Sequence, residues 1–386
     1  MKIVHVITGL DQGGAEAMLE KLVLTGRRMN PEVEQRVISL RQSGAVGARL
    51  MRAGIAVESL DLKLSLRSFR RLAPLLRRLH QEPELPVIQT WLWHADLLGG
   101  VCARIAGNPK VVWNLRNSMP AHAATKRMSR LAARVCAVLS SRVPRLIICN
   151  SQAALRAHVA IGYRADRCLV IPNGFDLRTF APSAGARDEV RARWGALPEQ
   201  PVVGMVARVD PLKDHQTFIA AAARVAPAAP LARFVLVGEG VTRDEAIRHA
   251  LERTTISGRF ILEERSERVA DVMSALDIFC LASRSEGFPN VVGEAMACAL
   301  PTIGSDVGDL RYIVGDDRLV ATAADAASLA DRLAYVLALS VEERRALGST
   351  MRQRIESEFD IERAWRSYLE VYGSVADVDR ALQRLS

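Results

Sequence analysis

The chain has 386 residues, more than one ordinary hydrophobic core accommodates and enough for two domains of similar size. Hydrophobic residues make up 49% and charged residues 25%, which excludes the composition of disordered and fibrous chains. The net charge of +9 is unevenly spread: residues 1–182 hold 27 Lys and Arg against 12 Asp and Glu, while the remainder holds 25 against 31.

Apolar strand-like runs alternate with longer helical patterns from end to end, which predicts an α/β protein with parallel sheets. In the first half the predicted strands are residues 3–8, 36–40, 87–90, 110–113 and 146–149. The start from Met1 looks like a secretion signal, but its apolar run is only a strand long before Gly9, Asp11 and the glycines. His5, inside this strand, reads as structural. Gly13-Gly14 either lets the backbone approach a phosphate or acceptor closely or simply turns into a helix, whose start Glu16 favours. Neither a Gly-x-Gly-x-x-Gly fingerprint nor a Gly-Lys-Ser/Thr ending is present there.

Two basic stretches, Lys63 to Arg78 and Lys126 to Val135, interleave arginines with leucines or other apolar residues. Each suits either an anionic lipid surface or a solvated helix face. No base-stacking aromatic platform accompanies them, which argues against nucleic acid. His94, in Thr90-Trp-Leu-Trp-His94-Ala-Asp96, follows a strand. A histidine there either titrates near neutrality and relays a proton, or caps the next helix and packs against Trp91 and Trp93.

Residues 182–188 form a polar stretch containing Pro and Gly, which predicts a linker. The expected domains are therefore 1–181 and 182–360, with a helical segment 361–386 crossing back onto the first. Strands are predicted at 202–207, 233–237, 277–282 and 301–303. Six cysteines without Cys-x-x-Cys spacing read as reduced core thiols of a cytosolic protein. No apolar run approaches a membrane span. Asp377-Val-Asp379 reads as a solvated helix end and not as a metal site.

Glu286-Gly-Phe-Pro-Asn-Val-Val-Gly-Glu294 carries the strongest chemical signal. Residues 277–282 read as a buried strand, 283–290 as a loop and 291–299 as a helix, so Glu286 is a loop residue and Glu294 a helical one. Two glutamates at this spacing are ordinarily solvated acids. Here Gly287 and Pro289 mark a tight loop at the carboxyl end of a strand, where open parallel sheets bind ligands. Pro289 suits a helix opening, and the N–H groups of Asn290 and Val291 can receive a phosphate oxygen. Arg208 and Lys213 lie upstream after another strand and supply a planar fork and a point charge for a diphosphate. The set points to sugar transfer from a nucleotide.

These blocks recur together with Gly13-Gly14-Ala15-Glu16, Ile171-Pro-Asn-Gly-Phe-Asp176 followed by Phe180, Val237-Gly-Glu-Gly240 and Ser305-Asp-Val-Gly-Asp309. In order and spacing the chain resembles, nearly from end to end, the family 4 retaining glycosyltransferases, also called group 1 glycosyl transferases. The resemblance implies the GT-B architecture of two facing Rossmann-like domains, the first binding the acceptor and the second the donor, with closure around the donor. It implies that Arg208 and Lys213 hold the diphosphate of a UDP- or GDP-linked sugar without metal or other cofactor. Glu294 would bind the ribose hydroxyls, Glu286 would face the transferred sugar, and Gly14, Asn290 and Val291 would complete the donor side. Gly13, Glu16, Arg116 and Asn117 would lie on the acceptor side. Many relatives carry a histidine near Val111-Val-Trp-Asn-Leu-Arg-Asn-Ser118, where this chain has none; His94 is the remaining candidate for proton relay. The implied activity is front-face hexosyl transfer to a glycan or lipid-linked acceptor, in polysaccharide or glycolipid synthesis, by a cytoplasmic protein peripheral to the membrane. A nucleotide-sugar epimerase and a non-catalytic nucleotide-sugar binding partner are the competing readings.

Overall fold

The computed structural model describes residues 1–11, 13–62, 75, 85–116 and 127–383. The chain divides into two compact units, Met1–Gly174 with Ile361–Ser386, and Phe175–Asp360. The division falls before Phe175 instead of at 182 because Phe175 and Phe180 are buried in the core of the second unit. The expected linker is a helix start: Ser183 caps the helix Ala184–Trp194 by accepting the N–H of Ala186.

The first unit is a parallel sheet of β1 (Lys2–Ile7), β2 (Glu34–Ser39), β3 (Ala56–Ser59), β4 (Val87–Trp91), β5 (Val111–Leu115), β6 (Leu146–Cys149) and β7 (Cys168–Val170), in the order β3-β2-β1-β4-β5-β6-β7. The second holds β8 (Val202–Val206), β9 (Arg233–Val237), β10 (Phe260–Glu263), β11 (Ile278–Leu281), β12 (Thr302–Ser305) and β13 (Val320–Ala321), ordered β10-β9-β8-β11-β12-β13. All strand pairs are parallel. Each predicted strand is present within a residue or two. The four that sequence reading missed, β3, β7, β10 and β13, are the four sheet edges. The first three are partly exposed and lack the continuous apolar signal of a strand buried on both faces; β13 is only two residues long.

The last helix, Ile361–Gln383, sets Ile361, Trp365, Tyr368 and Tyr372 on one stripe. That stripe lies in the same core as Ile3, Leu19 and Leu22 of the first unit. Trp365 Nε1 donates to Asn30 Oδ1 at 2.9 Å and Arg28 pairs with Glu362 at 2.9 Å. Asp377 is exposed inside this helix and not at its end. Among the described residues no helix is long and apolar enough to cross a membrane. All six cysteines are free thiols, five of them buried and Cys168 half-buried.

Most of the first basic stretch lies outside the described residues. The second falls on the helix Arg127–Leu139, which buries Ala132, Ala133, Cys136 and Ala137 and leaves Leu131, Arg134 and Val138 exposed.

Candidate active site

In the second sheet the strand order reverses between β8 and β11, the switch point at which loops diverge and leave room for a ligand. The loops after these two strands meet there. Lys213 Nζ lies 2.6 Å from Glu286 Oε1, and the same oxygen accepts Ser283 Oγ at 2.7 Å. An ion-paired carboxylate with a second donor is an electrostatic and hydrogen-bond acceptor, suited to facing positive charge that grows in a transition state. Arg208 is largely exposed and pairs with Asp210 at 3.1 Å.

Neighbouring loops brace this junction through glycines. Gly308 has φ +59, and a Cβ there would stand 2.3 Å from the Gly287 carbonyl, while Asp309 N–H donates to that carbonyl at 3.0 Å. The helix Asn290–Ala297 opens behind Pro289 with no side-chain cap, so its dipole end faces the loop. Glu294 is half-buried within that helix. Glu264 pins the loop after β9: it accepts Gly240 N–H at 2.6 Å, Thr242 Oγ1 at 2.6 Å and Arg243 at 3.1 Å. Led by the Thr242 and Gly240 hydrogen bonds, these hold its carboxyl down at about 2.

In the first sheet the order reverses between β1 and β4. Exposed Gly13 and Gly14 open the helix Gly14–Met29, with Glu16 in its first turn. Burial and the nearby Asp11 push the Glu16 carboxyl upward, although a backbone hydrogen bond opposes them. After β4, Leu92 adopts φ +72, a left-handed value for a residue with a Cβ, immediately before the helix Trp93–Ile105. His94 is half-buried in that first turn. Burial first, and the Arg41 charge second, lower its pKa, so the imidazole is neutral at pH 7. Two other histidines contact these tryptophans: Trp91 Nε1 donates to His5 Nδ1 at 3.3 Å and Trp93 Nε1 to His158 Nε2 at 2.9 Å.

Arg116 is employed differently from the acceptor-side reading. It is buried, donates to Asn173 Oδ1 at 2.5 Å and to Tyr368 Oη at 3.4 Å, and lies 5.4 Å over the Trp91 ring. Its partners hold it in the interior, where it ties β5 to the last helix. Asn117 lies outside the described residues. Among the described residues no cluster of three or more His, Cys, Asp or Glu is placed to hold a metal.

Residues 12–179 match the family model described as Glycosyltransferase Family 4, and residues 186–354 match that of Glycosyl transferases group 1. The chain belongs to the group 1 glycosyl transferases. EpsF of Bacillus subtilis, named as a glycosyltransferase, is 26% identical over 322 residues that cover 79% of each chain. A D-inositol 3-phosphate glycosyltransferase of Rhodococcus erythropolis is 35% identical over 179 residues, which cover 44% of this chain and 40% of that one. The alignment thus spans well under half of that relative. The fold matches GT-B enzymes: HepE of Anabaena, crystallised with UDP, superposes with a TM-score of 0.84 at 23% identity over 97% of this chain and 100% of that one. Sucrose-phosphate synthase of Thermosynechococcus elongatus matches with a TM-score of 0.77 at 20% identity over 100% of both chains.

In this glycosyltransferase the structure brings Lys213, Glu286 and the start of the Asn290 helix to one switch point and Gly13, Gly14 and His94 to the other. Sequence reading missed Ser283, Glu264 and the pair Asp214–Arg284. For Glu264 the available signal was the glycine loop it clamps, Gly238-Glu-Gly240, which needs an acceptor for its N–H groups.

Proposed function

We propose that this glycosyltransferase moves a hexosyl group from a UDP-linked sugar, with retention of configuration, to a glycan or lipid-linked acceptor. The observation that carries the reading is the Lys213–Glu286 contact at the β8/β11 switch point, backed by an uncapped helix start. HepE, crystallised with UDP and with UDP-glucose, supports the choice of nucleotide.

In this reading Lys213 and Arg208 take the two phosphates, and positive charge already present on the protein offsets the charge that grows on the leaving group. The N–H groups at Asn290 and Val291 add donors along the helix axis. Glu294 accepts the ribose hydroxyls. Glu286 faces the sugar ring and stabilises an oxocarbenium-like centre. The leaving phosphate takes the acceptor proton on the face it departs from. On the acceptor side, neutral His94 accepts a hydrogen bond from the acceptor hydroxyl whose proton the phosphate takes, with Gly13 and Gly14 permitting close approach.

The thermal midpoint of the purified protein is measured against UDP-, GDP-, ADP- and CMP-linked sugars. A rise with UDP-sugars that is lost in Arg208→Ala supports the reading. Lys213→Ala and Glu286→Gln are expected to lower transfer by about 10²–10³-fold with the fold retained. Wild-type turnover by either variant sinks the assignment, and donor binding without transfer to any acceptor favours the non-catalytic partner.

A lipid-linked acceptor also accounts for the face of helix Arg127–Leu139, where exposed Leu131 and Val138 flank Arg134 on the basic first half of the chain. Peripheral attachment at the cytosolic membrane face follows from that reading. Sedimentation with anionic vesicles tests it: Arg134→Glu is expected to reduce the bound fraction, and equal binding to neutral vesicles argues against it.

A further inference from the structure

The loop that carries Lys213 is fastened by two residues that the reaction scheme does not use. Asp214 Oδ2 accepts Arg284 Nε at 2.7 Å and Thr217 Oγ1 at 2.7 Å, and Oδ1 accepts Thr217 N–H at 3.3 Å. Asp214 is buried and has φ +53, a left-handed value that glycine would adopt without strain. Through Thr217 the carboxylate also caps the helix His215–Val225. One residue before Lys213, the Leu212 carbonyl accepts Arg284 N–H at 2.8 Å. Leu212 and Asp214, on either side of Lys213, are thus both tied to Arg284, two residues before Glu286.

A lysine is a flexible stem with a mobile charge, so its use as a fixed point charge depends on what anchors its backbone. We propose that Asp214 and Arg284 form a clamp that positions Lys213 for the donor diphosphate, a role that rests on the donor-site reading above. Neither residue touches the donor in this scheme; both act through Lys213 and are positioning residues.

The test is a thermodynamic cycle on the full chain, with UDP as the probe in calorimetric titration and UDP release from UDP-glucose as the kinetic readout. Arg284→Ala is expected to weaken UDP binding about tenfold when measured well below its thermal midpoint, which the loss of buried Asp214's counter-charge lowers. Arg284→Lys restores part of the loss. Asp214→Gly relieves the backbone strain yet loses the same affinity, whereas a purely conformational role would leave binding intact. The decisive readout is coupling: Lys213→Ala with Arg284→Ala binds UDP no more weakly than Lys213→Ala alone. Additive losses, or full UDP affinity in Arg284→Ala while Lys213→Ala has lost it, overturn the clamp and leave the donor site standing. Equal UDP binding by wild type and Lys213→Ala, or none by wild type, overturns the donor-site reading and the clamp with it.

Discussion

His5 lies fully buried in the middle of the first sheet, accepting Trp91 Nε1 on Nδ1 and lying 3.3 Å from Gln35 Oε1 on the other nitrogen. A ring that accepts on Nδ1 and donates from Nε2 is neutral, and burial lowers its pKa to about 4 from the ordinary 6.5. Between those values the unfolded chain binds a proton that the folded chain refuses. Stability therefore falls as pH drops from 6.5 toward about 4, by about 2 kcal/mol at pH 5. Urea unfolding at pH 7 and pH 5 checks this; the His5→Asn variant should lose the His5 share of the difference and keep that of His94, His158 and His215, whose pKa values burial also lowers. Asp96 works in the opposite sense: burial raises its carboxyl well above the ordinary value, so its contribution weakens as pH rises from the ordinary carboxylate range. Arg116 shows what single residues conceal. Its place after β5 was legible, but its employment depends on Tyr368, 252 positions away.

At the scale of elements, Asp277 joins three of them. Standing just before β11, it accepts Arg187 at 2.6 Å, Arg191 at 3.0 Å and the N–H of Val202 at 2.8 Å, and so ties the helix Ala184–Trp194 to β8 and β11. Arg191 is nearly enclosed, with 6% of its side chain exposed, whereas Arg187 shows 32%. Asp277→Ala leaves an enclosed guanidinium without its counter-charge and is expected to destabilise the protein by about 3 kcal/mol. Arg187→Ala should cost distinctly less, and chemical denaturation of the two variants ranks them. Central strands were legible because both faces are covered and their sequences read as continuous apolar runs; edge strands such as Cys168–Val170 carry no such signal. The same asymmetry holds in the site. The Glu286–Glu294 block announces itself through local spacing, while the Asp214–Arg284 contact joins residues 70 apart that only the parallel β8–β11 pairing brings together.

For the whole molecule, the governing fact is that the first unit is discontinuous in sequence and is completed by its last helix. Trp365 is fully buried there, and a Cβ on Gly26 would lie 2.6 Å from its ring. Trp365→Ala is expected to cost about 3–5 kcal/mol. A lowered midpoint confined to one transition in calorimetry would locate the damage in the first unit, whereas an unchanged midpoint would show that the helix contributes little.

That discontinuity also has a consequence in time. The ribosome releases residues 1–174 first, but the core that Met18, Leu19, Leu22 and Val23 share with Trp365, Tyr368 and Tyr372 is incomplete until the helix Ile361–Gln383 has been synthesised. The uninterrupted segment Phe175–Asp360 can fold while the earlier segment is still waiting. The half made first is therefore the half finished last. A nascent chain stalled before Ile361 would keep that oily core open to chaperones and to other nascent chains, so truncation at that point should yield aggregates instead of a slightly shortened enzyme.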